Sequence, residues 1–175
     1  TGTDGVLDDA DLGWVQKQLD QARGKVIMLL MHHPLFRVEG ELTGAVDTVQ
    51  ASQLYYSWAN QPGLARRLLS LVVDYNVTAV IAGHIHTDRL LKFKSTRTNT
   101  VHWFITTTTT AGPRPEREYN GFRFIQVKAN GAVSFPYMPA WANLDIHPNS
   151  IPVDPTTAGG YLYAKWVQGP QQTAL

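Results

Sequence analysis

Cysteine is absent from this 175-residue chain. That excludes disulfides and thiolate metal sites, and leaves His, Asp, Glu and Asn to hold any transition metal. The absence does not fix a compartment. Sparse charge and abundant Thr, Gln and Asn would suit an extracytoplasmic protein, and localisation stays open. Charged residues make up only 17% of the chain, below the roughly 25% of an average domain. The formal net charge is +1 with Lys and Arg scattered along the chain, so no basic stripe marks a nucleic-acid-binding face. A small phosphorylated substrate needs only a local positive site, which a bound divalent metal would supply. No apolar stretch approaches the roughly 20 residues that span a bilayer. The longest, residues 26–31, has the length of a buried strand. Residues 1–5 contain neither an initiator Met nor the basic and apolar regions of a signal peptide. They read as a processed end or as an interior point of a longer chain.

What is present suits one globular domain. Hydrophobic residues make up 43%, and a chain of this length can bury roughly two-thirds of its unfolded surface. Asp8, Asp9 and Asp11 stand where carboxylates complement a helix start. Leu12, Val15, Leu19 and Ala22 mark one helical face, and Gly24 is a natural stop. The run Val26-Ile27-Met28-Leu29-Leu30-Met31 follows, and its continuity predicts a strand covered on both faces, as in a parallel sheet. Directly after it come His32-His33-Pro34. The same order then recurs. A helical stripe of Leu64, Leu68, Leu71, Val72 and Tyr75 follows Pro62-Gly63, and Asn76 suits the helix end. Val77-Thr78-Ala79-Val80-Ile81-Ala82 reads as a second buried strand, ending in Gly83-His84-Ile85-His86. Ligands of open α/β sheets bind at the carboxyl ends of strands, which is where both histidine clusters fall.

Beyond residue 88 the pattern turns to β. Residues 90–94 and 101–106 predict strands, followed by a threonine run at 106–110. Residues 122–127 and 132–135 flank Asn130-Gly131, a hairpin signal. Residues 138–175 form an irregular, Pro- and aromatic-rich tail. It wraps the domain through Trp141, Tyr161, Tyr163 and Trp166, or joins another chain or domain. Residues 35–52 read as a loop placed for substrate recognition. Phe36, Tyr55, Tyr56 and Trp58 are either a wall for substrate or core, with core the better reading for most of them.

Neutral imidazole offers one lone pair to a metal while its other nitrogen bonds a supporting partner. His84 and His86, one residue apart, can project to one side of an extended or looped segment, and Gly83 permits a close approach and an unusual turn before them. Taken alone, each cluster has a plain alternative, because a histidine often ends a strand as a satisfied polar residue. Taken together, Met31-His32-His33-Pro34 and Gly83-His84-Ile85-His86 resemble two consecutive motifs of the calcineurin-like metallophosphoesterases. Residues 8–31 and the helix and strand before Gly83 are similar to the segments that precede those motifs. The resemblance covers roughly residues 5–137.

The resemblance implies an α/β fold, specifically the second half of a sandwich of two mixed sheets flanked by helices. It assigns residues 1–137 to the C-terminal half of a metallophosphoesterase domain. It also implies two metal ions (Fe, Mn or Zn), with His32 and His84 on one and His86 on the other. Hydrolysis of phosphate mono- or diesters would proceed through a metal-bridging hydroxide. His33 is left open between a supporting role, a substrate-facing role and a structural hydrogen bond. His102 and His147 are expected to be non-ligands. The family's Asp-x-His, Gly-Asp and Gly-Asn-His motifs, which carry the other ligands and the bridging carboxylate, have no counterpart in this sequence. The expected partners are therefore a phosphorylated substrate and an N-terminal half, or a partner chain, that supplies the missing ligands. This chain alone is expected to have little or no activity. The alternative is a non-catalytic binding module or structural domain derived from the same fold.

Overall fold

Asp8 opens the first helix through a reciprocal cap. Its carboxylate accepts from the Asp11 backbone N–H at 2.8 Å, while the Asp11 carboxylate accepts from the Asp8 N–H at 3.0 Å, satisfying two helix-end donors. The computed structural model describes residues 7–106, 121–139, 144–146 and 164–166. Helix α1 (Asp9–Gln21) buries Leu12 and Leu19, with Val15 and Ala22 packed beside them. Gly24, at φ 78°, turns the chain into strand β1 (Met28–Met31). A short helix, α2 (Tyr56–Ala59), leads to α3 (Pro62–Asp74). Pro62 starts α3 at a position where no N–H is needed. Ala65, Leu68, Leu69, Val72 and Val73 form the buried stripe of α3. Asn76 adopts φ 50°, a left-handed conformation that asparagine tolerates, and strand β3 (Ala79–Ala82) follows.

These strands join β2 (Gly40–Gly44), β4 (Arg89–Ser95) and β5 (Val101–Thr106) in one five-stranded sheet of order β1-β3-β5-β4-β2. Pairing is parallel for β1–β3, β3–β5 and β2–β4, and antiparallel for β4–β5. The protein is therefore mixed α/β, with a mostly parallel sheet. Among the described residues, three two-stranded antiparallel ladders accompany it: β6 (Gly121–Arg123) with β9 (Tyr137–Pro139), β7 (Gln126–Val127) with β8 (Val133–Ser134), and β10 (Leu144–Ile146) with β11 (Ala164–Trp166). The β7–β8 hairpin turns through Asn130 and Gly131, and Gly131 supplies φ 81°. Trp141, His147, Tyr161 and Tyr163 lie outside the described residues, as do residues 107–110 of the threonine run.

One face of the sheet packs on the helices. Val80, Leu91, Phe93 and Phe104 meet Leu12, Leu19, Trp58, Leu68, Leu69 and Val72 there. Each such side chain contributes about 1.5–3 kcal/mol by leaving water. On the other face, Ala79 and Ile105 pack with Phe135 beside β8. His102 lies inside this structure with no exposed surface. Its Nδ1 lies 2.7 Å from the Val77 carbonyl and its Nε2 lies 2.7 Å from Thr100 Oγ1. This arrangement fits a neutral ring that donates to the carbonyl and accepts from the hydroxyl. Phe36 and Trp58 are core, whereas Tyr56 is exposed.

Two expectations are corrected. The apolar run at 26–31 is not covered on both faces: among the described residues nothing packs over Leu30, which is 80% exposed, and Val26 also faces solvent; β1 is in addition an edge strand. Continuous apolarity marks a strand built to be covered, but it does not say whether the cover lies within the same segment. Residues 35–52 are not simply loop. They contain β2, which closes the opposite edge of the sheet by pairing with β4.

Candidate metal centre

Parallel pairing sets the site. Met31 stands opposite Ala82 at the ends of β1 and β3, so the residues that follow the two strands emerge side by side. The Gly83 N–H continues the ladder by donating to the His32 carbonyl at 3.0 Å. His32, His33 and His84 are thus delivered to one place by two neighbouring strand ends, the location where polar side chains of an α/β sheet can converge.

The ligand atoms of His32, His33 and His84 all lie within 4.8 Å of one another. His32 Nε2 and His84 Nδ1 are 3.1 Å apart. The His33 and His84 rings are 3.9 Å apart between centroids and tilted by 37°. His33 shares a hydrogen bond at 3.1 Å between its Nδ1 and Ser57 Oγ on α2, which fixes its ring while leaving Nε2 for another partner. Tyr55 closes one side, 5.9 Å from His33 and 5.7 Å from His84 between ring centroids.

Electrostatics favour neutral rings. Desolvation is the largest cause of a lowered His33 pKa, followed by the positive charges that His84 and His32 would carry. His84 is lowered for the same leading reason, then by His32 and His86. Crowded imidazoles resist protonation together, and the neutral form is the one that binds metal.

The loop carrying His84 is held in a strained shape. Ile85 N donates to Gly83 O at 2.8 Å, closing a three-residue turn about His84. His84 sits at φ 68° and His86 at φ 55°, in the left-handed region where a non-glycine residue costs of order 1 kcal/mol or more. Thr106 at the end of β5 pins the loop by donating to the Thr87 carbonyl at 2.8 Å. Asp88 then grips Arg123 of β6 at 2.8 and 2.5 Å. The special conformation anticipated at Gly83 therefore falls on the histidines themselves. Gly83 has no positive φ, and a Cβ there would meet only His32 Nδ1, at 4.0 Å.

His86 is not part of the converging set. It stays close enough to His84 for its charge to oppose protonation there. His33, left open by the sequence, is the third member of this set; His86 was expected on a separate ion. The signal available for His33 was its adjacency to His32 at a strand end, where the chain can turn both rings toward one point.

The donor set can be tested for fit. Two nitrogens bound at about 2.0–2.1 Å in a tetrahedral shell are roughly 3.3 Å apart, close to the 3.1 Å between His32 and His84. Three imidazoles suit Zn, Fe or Mn-type ions. Among the described residues no carboxylate joins the cluster, so these residues fit one ion and lack the bridge that two ions share. No protein-family model matches this chain, and no curated protein matches it.

Proposed function

We propose that this chain contributes part of the active site of a metal-dependent phosphoesterase of the calcineurin-like type. The observation that carries the reading is the convergence of His32, His33 and His84 at the ends of two adjacent parallel strands. These three residues would hold one ion. Bound there, a metal supplies Lewis-acid chemistry and a low-pKa water for attack on a phosphate mono- or diester. His33, tied to Ser57, keeps the ring array oriented, and the strained turn at His84 presents its ring to the same point. His86, two residues along the same loop, would serve a second ion together with ligands supplied from elsewhere.

The β1 edge supports the further proposal that the sheet continues. An edge strand with Leu30 exposed, ending directly in the histidine cluster, suits a sandwich whose remaining strands bring the missing carboxylates. Those strands would come from a preceding part of a longer polypeptide or from a partner chain. A second reading has its own support. Without a carboxylate in the cluster, the described residues would bind an ion without hydrolysing anything, as a binding or structural module.

Hydrolysis of a chromogenic phosphodiester by the full-length protein, with and without Mn, separates the two readings. Metal-dependent turnover that is lost in His84→Ala is expected. Absence of metal-dependent turnover, together with retained metal binding, would leave the binding-module reading.

A further inference from the structure

Next to the histidines lies a cleft of about 490 Å³ lined by Arg37, Tyr55, Tyr56, Ile85, Thr87 and Arg89. Its volume is in the range of small-molecule sites, roughly 300–1,000 Å³. It borders the candidate metal centre through two residues. Tyr55 packs against both His33 and His84, and Ile85 stands between His84 and His86 in the chain.

The cleft has a specific chemistry. The Arg89 guanidinium donates to the Arg37 carbonyl at 2.9 Å, which holds two cationic residues at one rim. Among the described residues, neither arginine forms an ion pair with a carboxylate, whereas Arg23, Arg67, Arg97 and Arg123 each do. An anion in a cleft lined by both residues would be attracted by two guanidinium charges that no carboxylate neutralises among the described residues. Arginine is also the side chain best shaped for bidentate phosphate recognition. Beside them, Tyr56 is 65% exposed. Its ring lies 5.3 Å from Tyr55 and 5.5 Å from the Arg37 guanidinium. A backbone bridge, Phe36 to Leu54, with Arg37 N donating to Gln53 O at 3.0 Å, brings these groups together from distant parts of the sequence.

We infer that this cleft binds the part of the substrate beyond the scissile phosphoryl group. It selects an ester bearing a planar aromatic ring and a second anionic group, the chemistry of a nucleotide. Tyr56 and Tyr55 offer the stacking surface, and Arg37 and Arg89 take the second charge. The inference rests on the histidines marking where the scissile group sits, but its test does not depend on turnover.

The test is calorimetric titration of full-length protein, stripped of metal by chelation, with ADP, pyrophosphate and adenosine as probes. ADP should bind at least about tenfold more tightly than either part alone. Arg37→Ala and Tyr56→Ala should each weaken ADP binding by about tenfold or more, as expected for a charge-assisted phosphate contact and a stacked ring. Tyr56→Phe, which keeps the ring, should bind like the parent. Failure of ADP to bind, pyrophosphate or adenosine binding as well as ADP, or an unchanged affinity in either alanine variant would overturn the inference. A failed metal assignment would instead show as turnover or metal binding that survives His84→Ala.

Discussion

Removing His33 tests the geometry most directly, because the resemblance assigns ligation to His32, His84 and His86, whereas the three-dimensional cluster is His32, His33 and His84. His33→Ala takes one of three imidazoles from the set and leaves His32 and His84, 3.1 Å apart, as a two-nitrogen site. Structural zinc bound by four ligands has an apparent binding free energy of about 10–16 kcal/mol, which is roughly 2.5–4 kcal/mol per ligand. His32 and His84 are exposed to water, which places the expected loss at or below that lower bound, about 1.4–2.5 kcal/mol or roughly 10- to 60-fold in affinity. Competition titration of Zn against a chromophoric chelator at pH 7.5 would measure it. His33→Ala should weaken the tightest-bound ion by that factor, and Ser57→Ala by a smaller one, because Ser57 only orients the ring. His86→Ala should leave this ion unaffected. The reasoning is refuted if His33→Ala binds Zn as the parent does while His86→Ala abolishes the tight site.

Three further outcomes follow from the packing. The buried His102 has a pKa held below its ordinary 6.5 by desolvation, opposed by its hydrogen bond to the Val77 carbonyl. Below about pH 6.5 the unfolded chain therefore takes up a proton that the folded chain resists. The contribution of His102 to stability is complete above that pH and is lost as pH falls toward the folded-state value. His102→Phe should weaken this pH dependence and cost about 1–3 kcal/mol at pH 7.5 by leaving the Val77 carbonyl unpaired. Urea melts at pH 7.5 and 5.5 would show it, and an identical pH dependence in the variant would count against the assignment. Gly83→Ala should be nearly neutral, within about 0.5 kcal/mol, because its Cβ would meet nothing closer than 4.0 Å; a tenfold loss of metal affinity would contradict this. Leu30→Lys should shift the stability of the 175-residue chain by no more than about 0.5 kcal/mol. If further strands cover β1 in a longer protein, the same change there should cost several-fold more, since it buries an unpaired charge. Equal thermal shifts in the two would exclude such coverage.

Local order was legible wherever a short-range rule decided it. The capping acids at Asp8 and Asp11, the stop at Asn76 and the Asn130-Gly131 turn all depend on neighbours a few residues apart. The stripe of α3 was legible in part, since Leu68 and Val72 are buried as expected while Leu64, Leu71 and Tyr75 are only partly buried and Ala65, Leu69 and Val73 complete the buried face. β2 was not legible, because its residues Gly40–Gly44 carry little strand character of their own and are ordered by pairing with β4, some 50 residues away. The Arg37–Tyr56 cleft was hidden for the same reason. The bridge from Phe36 to Leu54 and the Arg89 bond to the Arg37 carbonyl place its walls together.

The sequence by itself determined which residue types could hold a metal and that histidines would stand after two apolar strands, because cysteine is absent and the apolar runs end where they do. It did not determine which three histidines meet. That depends on the parallel register of Met31 with Ala82, on the left-handed backbone at His84 and His86, and on Ser57 reaching His33 from another helix. Ring directions are set by backbone angles and by contacts 24 to 52 residues distant in the chain, and spacing along the sequence carries neither. The exposure of Leu30 belongs to the same class, since whether an apolar strand is covered is a property of its neighbours in space.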